Sequence, residues 1–121
     1  MNELFFFLLA TGFMASHELD AVRCKEWEIF PGLALLESAT GRVVFIGLHV
    51  PLFALLFWGI ALTGSDPTSS FRFGFNLFCL VHLVAHLAFL AHRKNMFRGV
   101  LSWFLIGGAA VAASIDLWLA S

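Results

Sequence analysis

Apolar residues dominate four stretches of the chain, each close to the ~20 residues that a helix needs to cross a bilayer. They run over about residues 4–22, 43–63, 71–92 and 99–119. Polar positions inside them are few and clustered. The first stretch packs its polar content into its last third, Ser16-His17-Glu18-Leu19-Asp20, the second carries His49 and Pro51, and the third carries His82 and His86. Residues 23–42 are too charged to be buried and too apolar for a free loop. There, Ile29-Phe30-Pro31-Gly32 and the apolar flank up to Glu37 predict a short stretch lying at the interface. Ser65-Asp66-Pro67 reads as a helix start, with Asp or Ser as cap and proline where a missing N–H does no harm. Linkers, low-complexity tracts and internal repeats are not evident. The pattern therefore predicts an all-α fold, a single integral membrane domain over residues 1–121. It is a four-transmembrane-helix bundle with a short interfacial segment between helices 1 and 2.

Composition sharpens this picture. Only 12% of residues are charged and mean hydropathy is +0.90, too little polar surface to cover a water-facing globule. A formal net charge of −1 argues against a nucleic-acid surface, which needs a clustered basic face. Fifteen Phe and four Trp suit a bilayer-facing exterior with aromatic anchors near its edges. The lipid bilayer is thus the first expected partner. The leading apolar run follows Glu3 with no Lys or Arg before it, so it reads as a retained helix rather than a secretory signal. Cys24 and Cys79 fall at different depths, and no disulfide between them is expected.

Charge also sets an orientation. Arg23, Lys25, Arg42, Arg93, Lys94 and Arg98 lie in the connections after spans one and three, and only Arg72 lies near the other side. Positive residues stay cytoplasmic, so both termini are expected on the non-cytoplasmic side.

Candidate chemistry sits with the histidines. An ionisable group inside a bilayer is a functional candidate by default. Counted at ~1.5 Å per residue from the cytoplasmic end of each span, His17, His49 and His86 all fall roughly 8–9 Å below the boundary. His17 with Asp20 (i,i+3) and His82 with His86 (i,i+4) each share one helix face, and Cys79 extends the second stripe. Glu18 points about 100° away from His17 and is not expected to join. Three helices can then project His17, Asp20, His49, His82 and His86 toward one spot. That is the ligand inventory of a zinc or non-haem iron site, with His17, His49 and His86 as first ligands. Asp20 would be a ligand or the carboxylate orienting His17, and His82 a fourth ligand or a catalytic base.

Blander readings stand beside these. A histidine in a spanning helix can simply hydrogen-bond to a neighbour. His92, beside Arg93 and Lys94, reads as interfacial, and Glu26 and Glu28, alternating with Lys25, as a wet interfacial face. Glu37 is able to fold back over the site. Asp116 is expected to be solvated near the outer end of span four, and Arg72 to snorkel to the headgroups. The small residues Gly107-Gly108-Ala109-Ala110, with Ala112 and Ala113, form a face for close packing inside the molecule, with a homodimer seam as the alternative.

The stretch His-Glu-Leu-Asp-Ala-Val-Arg-Cys-Lys-Glu-Trp-Glu-Ile-Phe-Pro-Gly, from His17 to Gly32, resembles small bacterial membrane proteins named for a His-x-x-Glu-Glu motif near the end of the first span. The motif's histidine matches His17 and its first acidic position Asp20, while Ala21 stands at the second. The resemblance implies a bacterial inner-membrane location and gives weight to His17 and Asp20, without naming a reaction. A looser similarity, by analogy only, is to ceramidase-type membrane metallohydrolases, which hold zinc with helix-borne histidines.

Three functions compete. The first is a metal-binding membrane protein, a hydrolase- or oxidase-type metalloenzyme acting on a lipophilic substrate near the cytoplasmic leaflet. The second is a b-type haem protein with histidines from two helices as axial ligands. The third needs no metal: a proton-relay protein, an isomerase or cyclase, or an accessory subunit of a larger membrane complex.

Overall fold

The computed structural model describes residues 4–63 and 65–121. It is all-helical: α1 (Phe5–Arg23), α2 (Ser38–Thr63), α3 (Ser70–Ala88) and α4 (Val100–Leu119), with two short 3₁₀ turns, Glu26–Glu28 and Leu33–Leu35, between α1 and α2. All four helices are long and apolar enough to cross a membrane. Their outward faces carry Leu, Val and Phe in the open, from Leu8 on α1 to Trp118 on α4, as expected where lipid replaces water.

Three helices form the body of the bundle. α4 packs along α1 and α3, and its small residues make this possible. Ala109, Ala110, Ala112 and Ala113 are buried, and a Cβ on Gly108 would lie 2.6 Å from the Phe13 ring. The small-residue face is therefore spent on α1, inside the molecule.

α2 is attached differently, chiefly at its two ends. Near its start, Gly41 lies against the Trp27 indole, 3.1 Å from where a Cβ would stand. Near its other end, Gly59 meets Phe71 of α3 so closely that a Cβ would fall 2.2 Å from the ring. Between these two glycine contacts α2 stands away from α3, and cavities open there. Pro51 lies inside α2, where it donates no backbone hydrogen bond to the carbonyl of Gly47.

The connection between α1 and α2 has two parts: residues from Phe30 to Glu37 are mostly exposed, as expected of a stretch lying at the interface, while the turn before them is built into the bundle. Lys25 takes a left-handed conformation (φ 51°) and turns the chain back under the bundle. Trp27 and Ile29 are buried with Ala21, Cys24, Phe45, Phe97 and Ile106 in one apolar cluster. The Trp27 Nε1–H donates to Ser38 Oγ at 3.1 Å, and Ser38 donates to Glu28 at 2.6 Å, which ties the turn to the start of α2. Glu37 does not reach the histidines: its carboxylate accepts the Ala39 and Thr40 N–H groups, both at 3.2 Å, and caps α2.

Two helix boundaries differ from those read in the sequence. α2 begins at Ser38, before residue 43, because Glu37 provides a cap there. α3 ends at Ala88, before residue 92, and His92 sits in the following turn, accepting the Lys94 N–H at 3.1 Å. Ser69, not Asp66, caps α3, and Asp66 instead closes a turn onto Thr68 at 2.9 Å.

Arg72 and Asp116 also depart from expectation. Arg72 Nε donates to Asp116 Oδ2 at 2.8 Å and Nη2 to Oδ1 at 2.6 Å, while Asn76 Nδ2 adds a bond at 2.7 Å. Both charged residues are buried, so they satisfy each other between α3 and α4 instead of reaching headgroups or water.

Candidate metal centre

Three imidazoles converge near the end of α1. His82 Nε2 lies 2.9 Å from His17 Nε2 and 3.0 Å from His86 Nε2. The ring centroids form a compact triangle: 4.7 Å for His17–His82, 5.0 Å for His17–His86 and 4.6 Å for His82–His86. His82 and His86 come from one face of α3, as their i,i+4 spacing requires, and His17 meets them from α1. Phe97, fully buried in the α3–α4 connection, closes the site from below, 4.5 Å from His86 and 5.5 Å from His17 between ring centroids.

Geometry and valence both suit a shared cation. A neutral imidazole nitrogen offers either one N–H or one lone pair. His82 Nε2 faces two other nitrogens, so a single proton serves only one contact well. Three convergent lone pairs around one cation satisfy all three at once. Tetrahedral zinc with Zn–N bonds of ~2.0–2.1 Å would set its ligand nitrogens about 3.3 Å apart, close to the separations here. The ligand atoms of His17, His82 and His86 all lie within 4.8 Å of one another, and this is a group that can hold a metal ion.

A carboxylate stands beside the trio, and it is Glu26. Its Oε2 lies 3.6 Å from His17 Nε2. The residue is 8% exposed, and both Glu26 Oε2 and His17 Nδ1 are buried without a hydrogen-bond partner. Unsatisfied buried polar atoms are rare in native proteins and call for an explanation. Burial pushes the Glu26 carboxyl up, but contact with His17 and the nearby His17, His86 and His82 rings outweigh it, so the group sits below the ordinary carboxylate range. The sequence reading placed Glu26 on a wet face. The 3₁₀ turn that buries Trp27 beside it carries Glu26 inward as well, and the apolar neighbours Trp27 and Ile29 were the available signal.

His49 and Asp20 engage elsewhere. His49 Nε2 lies 2.6 Å from Glu18 Oε2, and its Nδ1 lies 2.7 Å from the Phe45 carbonyl oxygen. His49 lines the same cavity as His82 and His86 but turns its ring to α1 and stays out of the trio. Glu18, on another face of α1 from His17, is what His49 finds. Asp20 turns toward α4: Ser102 Oγ donates to its Oδ2 at 2.5 Å and Arg23 Nε to its Oδ1 at 2.7 Å. Ser102 is the partner that α4 supplies to Asp20. Cys24 lies in the same group, its Sγ 3.8 Å from Asp20 Oδ2. Cys79 is free and buried among Ala10, Met14 and the α4 alanines.

His82 and His86 of the trio and the Glu18–His49 pair border one cavity, with His17 buried behind them. It measures about 420 Å³, is lined by Glu18, Glu26, His49, His82 and His86 on its polar side, and is otherwise walled by residues such as Phe30, Leu48 and Phe78. No curated protein and no solved structure matches the chain. A family model does, over residues 3–121, and the chain belongs to that family, described as a family of unknown function, DUF6713.

Proposed function

We propose that this chain is an integral membrane protein that holds one transition-metal ion on His17, His82 and His86, with Glu26 as the carboxylate of the site. The mutual approach of three imidazole Nε2 atoms, 2.9 and 3.0 Å apart, carries this reading. Three imidazoles with an open position suit catalytic zinc, and imidazoles with one carboxylate suit non-haem iron. A metal there would act as a Lewis acid or lower the pKa of a bound water, and the cavity would admit a lipophilic substrate from the membrane. The six positive residues around the two connections at this end support a cytoplasmic placement of the site and outward termini. Haem is less well served, because the Nε2 atoms touch one another and leave no flat slot between two rings.

Elemental analysis of untagged protein in detergent tests the reading. About one zinc or iron per chain is expected, lost in His82→Ala and kept in His49→Ala. Absence of metal after incubation with zinc or ferrous iron would overturn it. That result would favour the metal-free alternative, in which His17, His82 and His86 form a continuous imidazole chain able to pass protons.

A further inference from the structure

Beside the cavity at the histidines lies a second one, of about 360 Å³. Both are lined by Glu18, Leu52 and Phe78, so the two adjoin as lobes of the space between α2 and α3. The lobes differ in chemistry. The first holds His82, His86, Glu26 and the Glu18–His49 pair. The second is walled by Met14, Leu56, Phe71, Gly74 and Phe75, with Glu18 only at the junction. Each volume falls within the range of small-molecule sites, ~300–1,000 Å³.

The polar lobe has a definite charge preference once a metal is present. His49 Nδ1 faces a carbonyl oxygen, which only accepts, so this nitrogen carries a proton. The 2.6 Å contact of His49 Nε2 with Glu18 then needs one further proton between them. The pair is neutral as a whole and offers hydrogen bonding without net charge. Opposite it, three neutral imidazoles and the single carboxylate of Glu26 leave a divalent ion with net positive charge. The complement is a head with one negative charge and an oxygen donor.

Resting on the metal reading, we infer that the two-lobed space binds a single-chain fatty-acid-type amphiphile, its carboxylate at the metal beside His82 and His86 and its alkyl chain running past Phe78 into the lobe at Gly74. One chain reaches both lobes because they meet at the shared Glu18, Leu52 and Phe78. α2 closes the space at both ends through Gly41 and Gly59, so the amphiphile enters sideways from the bilayer between those contacts.

Cobalt(II) as the probe metal separates this inference from the reading beneath it. Protein in lipid nanodiscs is loaded with cobalt, its stoichiometry measured, and its visible absorption followed during titration with laurate or acetate. Acetate has the same head and no tail. The expected result is about one cobalt per chain and a saturable spectral change with laurate at a concentration on the order of 100-fold below that for acetate. Gly74→Phe, where a Cβ meets nothing within 4 Å, puts a ring into the tail lobe. It should raise the laurate concentration needed at least ~10-fold while cobalt content stays unchanged. Ala85→Leu, on the wall of the other lobe, is the second such variant and should act the same way. Cobalt bound with laurate no better than acetate, or with both variants indifferent to laurate, overturns the amphiphile inference and leaves the metal reading standing. No cobalt bound overturns the metal reading itself.

Discussion

Glu26 Oε2 stands 3.6 Å from His17 Nε2, although the two residues lie on either side of the end of α1. The left-handed turn at Lys25 brings them together, and the burial of Trp27 holds the turn in place. Glu26→Gln keeps the side-chain shape and removes the charge. Metal affinity is expected to fall ~10–100-fold, as for loss of a supporting carboxylate. Competition with a chelator of known affinity measures it, and an unchanged affinity would remove Glu26 from the site.

Arg72 and Asp116 give the clearest stability test. Asp116→Asn leaves a buried guanidinium without its counter-charge, and breaking such a pair costs about 3–5 kcal/mol. Replacing both residues, with Arg72→Met and Asp116→Leu, should recover most of that loss, because no charge then remains buried. Thermal unfolding in detergent reads both. Equal stability of the single variant and the parent would show that the guanidinium finds another partner.

Two neighbouring glycines of α4 should respond in opposite ways. A Cβ on Gly108 strikes the Phe13 ring, whereas one on Gly107 meets nothing within 4 Å. Gly108→Leu is expected to destabilise by about 1–3 kcal/mol through overpacking of the α1–α4 seam. Gly107→Ala should be neutral or stabilise by up to about 1 kcal/mol through helix propensity. The same unfolding assay compares them, and a reversed order would contradict the packing described for α1 and α4.

Ser102 holds Asp20 from α4 at 2.5 Å. Ser102→Ala should cost about 1–3 kcal/mol by leaving a buried carboxylate oxygen short of a donor, while bound metal stays constant. A loss of metal in this variant would tie Asp20 to the histidines after all.

Glu37 predicts a pH effect at the start of α2. The Ala39 and Thr40 N–H groups, with the Thr40 hydroxyl, hold its carboxyl below the ordinary carboxylate range. A depressed pKa stabilises the folded state above the unfolded value, and this contribution fades as pH falls through the lowered one. Glu37→Gln should flatten the acid limb of the stability profile, and an identical acid limb would show that the cap carries no charge-dependent stabilisation.

Much of the architecture was legible because membrane helices announce themselves by length. Four apolar runs gave four helices, and Gly108, Ala109, Ala110, Ala112 and Ala113 marked the face on which α4 packs. His82 and His86 share a face by spacing alone. His49 was harder: depth counted along a span says nothing of direction, and His49 meets Glu18 on another face of α1 from His17 instead of joining the trio. Glu26 was hidden for a different reason. Its burial depends on a non-helical turn whose direction is set by tertiary packing of Trp27 and Ile29, and no periodicity encodes that. Arg72 and Asp116 are separated by a whole connection, so nothing local pairs them.

The Arg72–Asp116 pair bears on how the protein reaches its membrane. A helix carrying a lone guanidinium or a lone carboxylate enters hydrocarbon reluctantly. Joined as in this bundle, the two charges cancel at nearly the same level of α3 and α4. The pair therefore lets α3 and α4 enter hydrocarbon as one neutral unit, where each helix alone would carry an uncancelled charge.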